Sequence, residues 1–244
     1  MTTSLNEGAR AFGIPLTRAQ GDAFETYYRE LVAWNARVNL TAITARDDVI
    51  VKHFLDSLSV APQLHSARNL IDIGAGAGFP GIPLKIVLPH LRLTLLEATR
   101  KKIEFLKHII TQLNLPDAVA VHARAEDLAR DAAHREQYDA AVARAVASLA
   151  TLLEYALPFV RQGGVFIAQK GVEVDEEIRV AARALDLLGG CVREVVPVQL
   201  PGLEPRYLVV VEKITATPDK YPRRAGVPER KPLANCSKRR ANCA

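Results

Sequence analysis

Four closely spaced glycines follow a short apolar run near residue 70, and this stretch is the best suited in the sequence to hold a ligand. The run 69–73 reads as a buried strand, and Asp72 lies just before the first glycine. Because glycine has no Cβ atom, a ligand can approach its backbone closely. The glycines are Gly74, Gly76, Gly78 and Gly81. A strand, a glycine turn and then helical spacing from Ile82 onward predict a nucleotide-type site.

Two acidic residues indicate the kind of nucleotide. Glu97 ends the next apolar run, roughly twenty residues after Gly74, where a carboxylate can accept both ribose hydroxyls. Asp72 would face the pyrophosphate of a dinucleotide, and like charges in a partly desolvated cleft repel. S-adenosylmethionine, which has an ammonium, a sulfonium and no phosphate, suits these acids better. NAD is the alternative cofactor, and glycines that serve only packing are the structural alternative.

The scaffold that must position these residues is an α/β sheet. Apolar strand runs at 93–96, 119–121, 138–142 and 163–168 alternate with helical patterns at 103–113, 149–160 and 174–185. This alternation predicts a doubly wound, Rossmann-like sheet of mostly parallel strands. The last two runs, 191–198 and 207–211, have no helix between them and predict a hairpin. One antiparallel strand near the C-terminus distinguishes the class I methyltransferase variant of this fold from the dinucleotide-binding one.

Ligands bind beyond the carboxyl ends of the strands in such sheets, and this rule selects the charged candidates. They are Asp72, Glu97, Glu126, Arg144 and Lys170. Glu126 is placed to lie beside an adenine whose amine donates to a carboxylate. Arg144 and Lys170 suit acidic cofactor groups or RNA phosphate.

The first 65 residues are predicted to form a helical extension packed on the main domain. Residues 17–20 read as a capping box, and an apolar helix face follows. Its members are Phe24, Tyr27, Tyr28, Leu31 and Val32. His53 and Asp56 lead toward the glycine strand, although a lone histidine near an apolar helix is more often structural than catalytic.

The positive charge of the chain is concentrated at its end. The net charge is +5, yet residues 213–244 contain nine Lys or Arg and only two acidic residues. We therefore divide the chain into the extension 1–65, a cofactor-binding domain 66–213 and a basic tail 214–244. A basic tail suits a phosphate backbone. A solvated, partly disordered tail is an equal alternative.

Composition also bears on location. The N-terminus shows no secretory pattern, and no apolar run approaches membrane-spanning length. The three cysteines, Cys191, Cys236 and Cys243, lack metal-ligand spacing, which favours reduced thiols and a cytoplasmic protein. We expect a monomer with no metal and no membrane contact.

Several blocks of the sequence resemble the glucose-inhibited division protein B family. They are Trp34-Asn with Asn39-Leu-Thr41, His53-Phe-Leu-Asp-Ser-Leu58, Asp72 to Leu84, Arg144-Ala145, Lys170-Gly171, and Tyr221 to Gly226 with Lys231-Pro-Leu233. The resemblance runs from about residue 20 to 233. It implies an S-adenosylmethionine-dependent methyltransferase that modifies a guanine at N7 in 16S ribosomal RNA, as naked RNA or in the small subunit.

The resemblance also implies roles for single residues. Cofactor contacts are expected at Gly74, Phe79, Glu97, Ala98, Thr99, Ala125 and Glu126, beside Asp72, Gly76 and Gly78 from the glycine turn. Arg144 matches the active-site arginine. RNA contacts are expected at Lys170 and Arg206, and in the basic tail at Arg223, Arg224 and Lys231. The resemblance does not fix the roles of His53 and Asp56.

The expected chemistry needs little from the protein beyond positioning. Guanine N7 carries an in-plane lone pair and no proton, so it can attack the sulfonium methyl in line without a general base. Arg144 and Lys170 are the positioning candidates. Two other readings are an NAD-dependent oxidoreductase and a non-catalytic RNA-binding protein.

Overall fold

The protein is built on one seven-stranded sheet. The computed structural model describes residues 2–144 and 147–235 of the chain. The sheet has the order β3-β2-β1-β4-β5-β7-β6. Its strands are β1 Asn69–Ile73, β2 Arg92–Glu97, β3 Ala118–His122, β4 Tyr138–Arg144, β5 Val160–Lys170, β6 Gly190–Val198 and β7 Arg206–Lys213. All neighbouring pairs are parallel except those of β7, which runs antiparallel to both β5 and β6. The predicted fold class, with its antiparallel C-terminal strand, is confirmed.

Helices cover both faces of the sheet. They are α1 Thr2–Ala11, α2 Arg18–Asn35, α3 Arg46–Val49, α4 Asp56–Leu58, α5 Gly81–Val87, α6 Arg100–Gln112, α7 Ala125–Leu128, α8 Leu149–Ala156, α9 Val174–Leu188 and α10 Val227–Arg230. A π-helical segment, Ile50–Leu55, joins α3 to α4, and a 3₁₀ turn, Ala61–Leu64, follows. Because side chains alternate along a strand, Leu70 belongs to the core under α2, α5 and α6, while Ile71 and Ile73 face α8 and α9. None of the described helices is both long and apolar enough to cross a membrane.

The capping box that begins α2 forms as predicted. The Thr17 hydroxyl accepts from the Gln20 amide, and the Thr17 amide donates to the Gln20 side chain. Phe24, Tyr27 and Leu31 are buried, as the periodicity predicts. The prediction is wrong for Val32, which is 37% exposed.

One local prediction, the boundary between a helix and a strand near residue 160, needs correction. Strand β5 begins at Val160, which the apolar periodicity had assigned to the preceding helix. Val160 pairs with Tyr138 across an irregularity in β4, so the strand starts before the two glycines that had marked its beginning. Thr99, an expected cofactor contact, occupies the N-cap of α6, and its side chain makes no capping hydrogen bond.

Residues 214–235, here called the C-terminal segment, pack against the sheet domain. Arg135 donates to the carbonyls of Thr217 and Tyr221, and Tyr221 and Leu233 are buried in the core beside α8. The solvated, disordered alternative for the tail is therefore wrong for this part. Ala145 and residues 236–244, with Cys236, Cys243 and the cluster 238–240, lie outside the described residues. Cys191 is exposed as a free thiol.

Candidate functional site

The glycine turn after β1 is shaped partly by the protein's own side chains. The Gly81 amide donates to Asp72 Oδ2 at 2.8 Å, and a Cβ atom on Gly81 would meet that oxygen at the same distance. A Cβ on Gly78 would meet the Tyr27 hydroxyl at 2.8 Å. At Gly76, by contrast, a Cβ would find its nearest neighbour only at 3.8 Å. The missing Cβ atoms of Gly78 and Gly81 thus make room for Tyr27 and Asp72, while Gly76 faces open space.

Asp72 lies beneath this turn and does not line the adjoining cleft. Its side chain is fully buried, and Oδ1 has no hydrogen-bond partner among the described residues. Burial raises the pKa of Asp72 to about 7, although the Gly81 amide and the nearby Arg144 favour the charged form. The spacing in the sequence predicts direct contact between this carboxylate and the ligand. The structure corrects this, because the carboxylate caps the start of α5 behind the turn.

Glu97 joins the two loops that follow β1 and β2. Its Oε2 accepts from the Gly76 amide at 3.0 Å, and its Oε1 accepts from the Thr99 amide at 2.7 Å. The carboxylate is 7% exposed. It therefore lies at the carboxyl ends of neighbouring parallel strands, which is where the sequence predicts it.

A cleft of about 160 Å³ opens beside these loops. It is lined by Ile73, Gly74, Leu96, Ala98, Ala123, Arg124, Ala125, Glu126 and Tyr155. Four of the predicted cofactor residues are on its wall: Gly74, Ala98, Ala125 and Glu126. Glu126 is 3% exposed, and its Oε1 accepts from the Gly226 amide at 2.8 Å.

Sequence reasoning missed Arg124 and Tyr155 at this cleft. Arg124 directly precedes the predicted pair Ala125–Glu126, and this adjacency was the available signal. Tyr155 comes from α8, and no local pattern marks it. Burial, with added repulsion from Glu126, raises the pKa of Tyr155 to about 12, so its hydroxyl stays protonated near neutral pH.

A second group of side chains, the arginine cluster, consists of His53, Asp56, Phe79, Arg144 and Arg206. Asp56 is buried and accepts from Arg144 Nη1 at 3.0 Å, while Arg206 Nε lies 3.7 Å from its other oxygen. Arg144 also donates to the Lys52 carbonyl and lies over the Phe79 ring, 5.0 Å from its centroid. His53 lies in the π-helical segment and Asp56 begins α4, and both contact Arg144 at the end of β4. π-helical turns often occur at functional sites.

The protonation state of His53 follows from its neighbours. His53 Nδ1 lies 3.2 Å from Arg144 Nη2, which can only donate, and 3.2 Å from the Lys52 carbonyl, which can only accept, so these two contacts favour opposite tautomers. His53 Nε2 lies 2.9 Å from the Thr41 hydroxyl, which can donate or accept. Burial, reinforced by the charge of Arg144, lowers the pKa of His53 to about 4. Its ring stacks on Phe79 with centroids 4.5 Å apart, so Phe79 packs here rather than on the cleft wall.

The predicted RNA-contact residues fall into two groups. Lys170 is 8% exposed and pairs with Glu177 at 2.7 Å, and Arg223 pairs with the buried Glu154. Arg206 is 37% exposed in its side chain, and Arg224 and Lys231 are exposed. The burial of Lys170 and the pairing of the half-buried Arg223 with Glu154 argue for structural roles, whereas RNA contact by the other three stays a prediction.

Comparison with known proteins identifies close sequence relatives. The model of the family described as "GidB: rRNA small subunit methyltransferase G" matches residues 20–203. The ribosomal RNA small subunit methyltransferase G of Roseiflexus sp. (strain RS-1) is 52% identical over 92% of this chain and 97% of the relative. The protein of the same name from Alkaliphilus metalliredigens is 49% identical over 94% of this chain and 97% of the relative.

Solved structures share the fold at low sequence identity. Precorrin-6y C5,15-methyltransferase from Geobacter metallireducens matches with a TM-score of 0.50 and 16% identity, over 64% of this chain and 87% of that one. TrmN from Thermus thermophilus matches with a TM-score of 0.50 and 16% identity, over 68% of this chain and 53% of that one. At this identity the likeness establishes the fold alone.

Proposed function

We propose a specific activity for this chain, which belongs to the rRNA small subunit methyltransferase G family: methyl transfer to N7 of a guanine in 16S ribosomal RNA. Membership of the family makes the chain an S-adenosyl-L-methionine-dependent methyltransferase of small-subunit ribosomal RNA. The proposal adds the target atom, the positioning mechanism and the residues on each side of the reaction.

The residues at the cleft fit S-adenosylmethionine. The cleft volume, about 160 Å³, is below the roughly 300–1,000 Å³ of sites that bury a whole drug-sized ligand, so it suits one part such as the adenine. Glu126 offers a buried acceptor on the cleft wall, and Glu97 offers one where a ribose would need it. Oδ1 of Asp72 has no hydrogen-bond partner among the described residues, and a cationic ligand bound at the turn would favour the charged form of this carboxyl. When bound, the cofactor supplies an electrophilic methyl group.

The arginine cluster is proposed to face the RNA. Arg206 is only loosely paired with Asp56, so its guanidinium can turn to a phosphate at little cost. Arg144 is held firmly and presents a fixed positive charge at the end of β4. Methylation leaves the guanine ring positively charged. Arg144 is therefore expected to hold a phosphate or the guanine O6 rather than lie over that ring.

No residue of the cluster has to act as a base. Guanine N7 carries no proton to remove, and His53, with its Nδ1 facing Arg144, is poorly placed to take one. The protein's contribution is then to align the guanine, exclude water and hold both partners, which is worth several orders of magnitude in rate. The observation that carries the proposal is the shared sheet edge at which Glu97, Glu126 and the arginine cluster meet.

Methyl transfer to isolated small subunits tests this function. The protein, small subunits that lack the modification and tritiated cofactor are incubated together, and the labelled nucleotide is mapped. We expect label on one guanine of 16S ribosomal RNA, at N7. Label at another atom or nucleotide would contradict the proposed specificity.

The same assay decides between this function and the alternatives. A non-catalytic RNA-binding protein would transfer no label. An NAD-dependent oxidoreductase would bind the nicotinamide cofactor, and family membership gives that reading no support.

A further inference from the structure

We propose that the C-terminal segment forms part of the cofactor pocket and that Arg223 is the residue that positions it. The inference rests on the proposed function in one respect, since it takes the cleft beside Glu126 as the place of the cofactor. It assigns a binding role to a segment beyond residue 203, where the family match ends.

Arg223 is anchored by one fully buried carboxylate. Glu154 on α8 is 0% exposed and accepts from the Arg223 backbone amide at 2.8 Å. Arg223 Nε lies 2.8 Å from Oε1, and Nη2 lies 2.6 Å from Oε2. Both carboxylate oxygens are therefore satisfied by a single residue. Loss of the guanidinium would leave a buried charge without compensation, which strongly disfavours the docked position.

The chain on either side of Arg223 is held as well. Arg135 Nη1 donates to the Tyr221 carbonyl at 2.9 Å, and the Thr151 hydroxyl donates to the Pro228 carbonyl at 3.3 Å. Arg130 donates to the Pro222 carbonyl. These hydrogen bonds hold the segment on both sides of Arg223, and Arg223 adds an ion pair with Glu154 of α8.

Three residues after Arg223, the segment reaches the cofactor cleft. The Gly226 amide donates to Glu126 Oε1 at 2.8 Å. Among the described residues, this is the only hydrogen bond that the buried Glu126 carboxylate accepts. Gly226 adopts a left-handed φ of 76°, a conformation that other residues adopt at a cost. The segment thus orients one carboxylate oxygen of Glu126 and leaves Oε2 for a ligand donor.

The same ion pair also lies next to a second residue of the cleft lining. Glu154 directly precedes Tyr155, which lines the cleft together with Ala125 and Glu126. Arg223 is therefore linked to two residues of the cleft: to Glu126 through Gly226, and to Tyr155 through the neighbouring Glu154. Arg224, the next residue, has the same charge but an exposed side chain. This adjacency supplies a matched control.

Cofactor titration without RNA tests the inference. Isothermal titration with S-adenosylhomocysteine is carried out on the full chain and on the variants Arg223→Ala and Arg224→Ala. We expect Arg223→Ala to raise the Kd about 10-fold or more and Arg224→Ala to change it less than about 2-fold. Equal losses in both variants would overturn the inference, because they would indicate a general effect of charge. A wild-type Kd in Arg223→Ala would overturn it too.

Two further variants keep the test decisive if Arg223→Ala fails to fold. Arg223→Lys keeps a charge near Glu154 with fewer hydrogen bonds. Gly226→Ala leaves that ion pair in place and strains the left-handed backbone that presents the amide to Glu126. Both are expected to raise the cofactor KM more than they lower kcat, with an intermediate Kd. Folded variants with wild-type Kd and KM would overturn the inference. If the wild-type chain itself fails to bind the cofactor, the proposed function falls first.

Discussion

Two buried carboxylates beside the sheet edge, Glu154 and Asp56, each pair with arginine, and they differ in how many hydrogen bonds they accept from it. Glu154 receives four hydrogen bonds from Arg223 alone. Asp56 instead lies between Arg144 at 3.0 Å and Arg206 at 3.7 Å, and Arg206 keeps 37% of its side chain exposed. Glu154 and Arg223 therefore stay paired, whereas Asp56 can release Arg206 to a ligand and keep its hydrogen bond to Arg144.

This difference separates a structural arginine from a functional one. A saturated buried pair loses too much when it opens, so it suits a fixed anchor. An exposed, long pair contributes little to stability, and its arginine is free to bind phosphate. We therefore propose that the Arg223–Glu154 pair supports cofactor binding and that the arginine cluster binds RNA.

The largest expected effect is on stability, and it tests the anchor. Arg223→Ala leaves the buried Glu154 with the backbone amide of residue 223 but no compensating charge, and it is expected to lower the free energy of unfolding by about 3–5 kcal/mol. Urea denaturation followed by circular dichroism measures this loss. Arg161→Ala, which removes the exposed partner of Asp139, serves as the control and should cost less than about 1 kcal/mol. Equal losses in the two variants would erase the distinction between the pairs.

The next effect tests the other side of the comparison by its rate. Arg144→Ala is expected to lower methyl transfer to small subunits about 100-fold while the cofactor Kd changes less than about 3-fold, because the fixed charge faces the RNA. Arg161→Ala is again the matched control, since it breaks an Arg–Asp pair at the opposite end of β4. A 100-fold loss of cofactor affinity in Arg144→Ala would move this residue to the cofactor side.

A pH titration sharpens the account of the arginine cluster. Because the pKa of His53 is lowered to about 4 in the fold, the unfolded chain takes up this proton first as the pH falls below about 6.5. The free energy of unfolding therefore falls as the pH drops below about 6.5, and the loss due to His53 reaches about 2 kcal/mol at pH 5. The difference in unfolding free energy between wild type and His53→Asn should shrink by that amount between pH 7 and pH 5. A difference independent of pH would contradict the neutral, buried His53.

The smallest expected effect belongs to the loosely paired arginine. Arg206→Ala should lower the rate about 5-fold at limiting RNA and leave the free energy of unfolding within about 1 kcal/mol of wild type. Rates at several RNA concentrations separate KM from kcat. A stability loss as large as that of Arg223→Ala would show that exposure does not distinguish the two pairs.

The sequence predicted the parts of this molecule that are encoded locally. The alternation of strands and helices, the C-terminal hairpin and the capping box at Thr17 each depend on neighbouring residues, so pattern and propensity were sufficient. The position of Glu97 and Glu126 near one edge of the sheet was predictable because the carboxyl ends of parallel strands meet there, and their contact with a cofactor stays a prediction.

What the sequence missed depends on contacts between distant residues. Asp56 and Arg144 are 88 residues apart, and no pattern announced either their contact or the π-helical segment that precedes Asp56. Arg223 and Arg224 are the same residue type at adjacent positions, and only the fold shows that Arg223 pairs with Glu154. Asp72 was placed on the ligand because spacing alone does not reveal that the Gly81 amide already holds its carboxylate.

A crystal structure of the full chain with S-adenosylhomocysteine tests the central claim most directly, which is that the cofactor and the RNA use different sides of one sheet edge. We expect the adenine between Ala98, Glu126 and Tyr155, with the ribose at Glu97 and the Arg223–Glu154 pair intact. An adenine bound against Arg144 and Arg206, with the cleft at Glu126 left empty, would contradict the account.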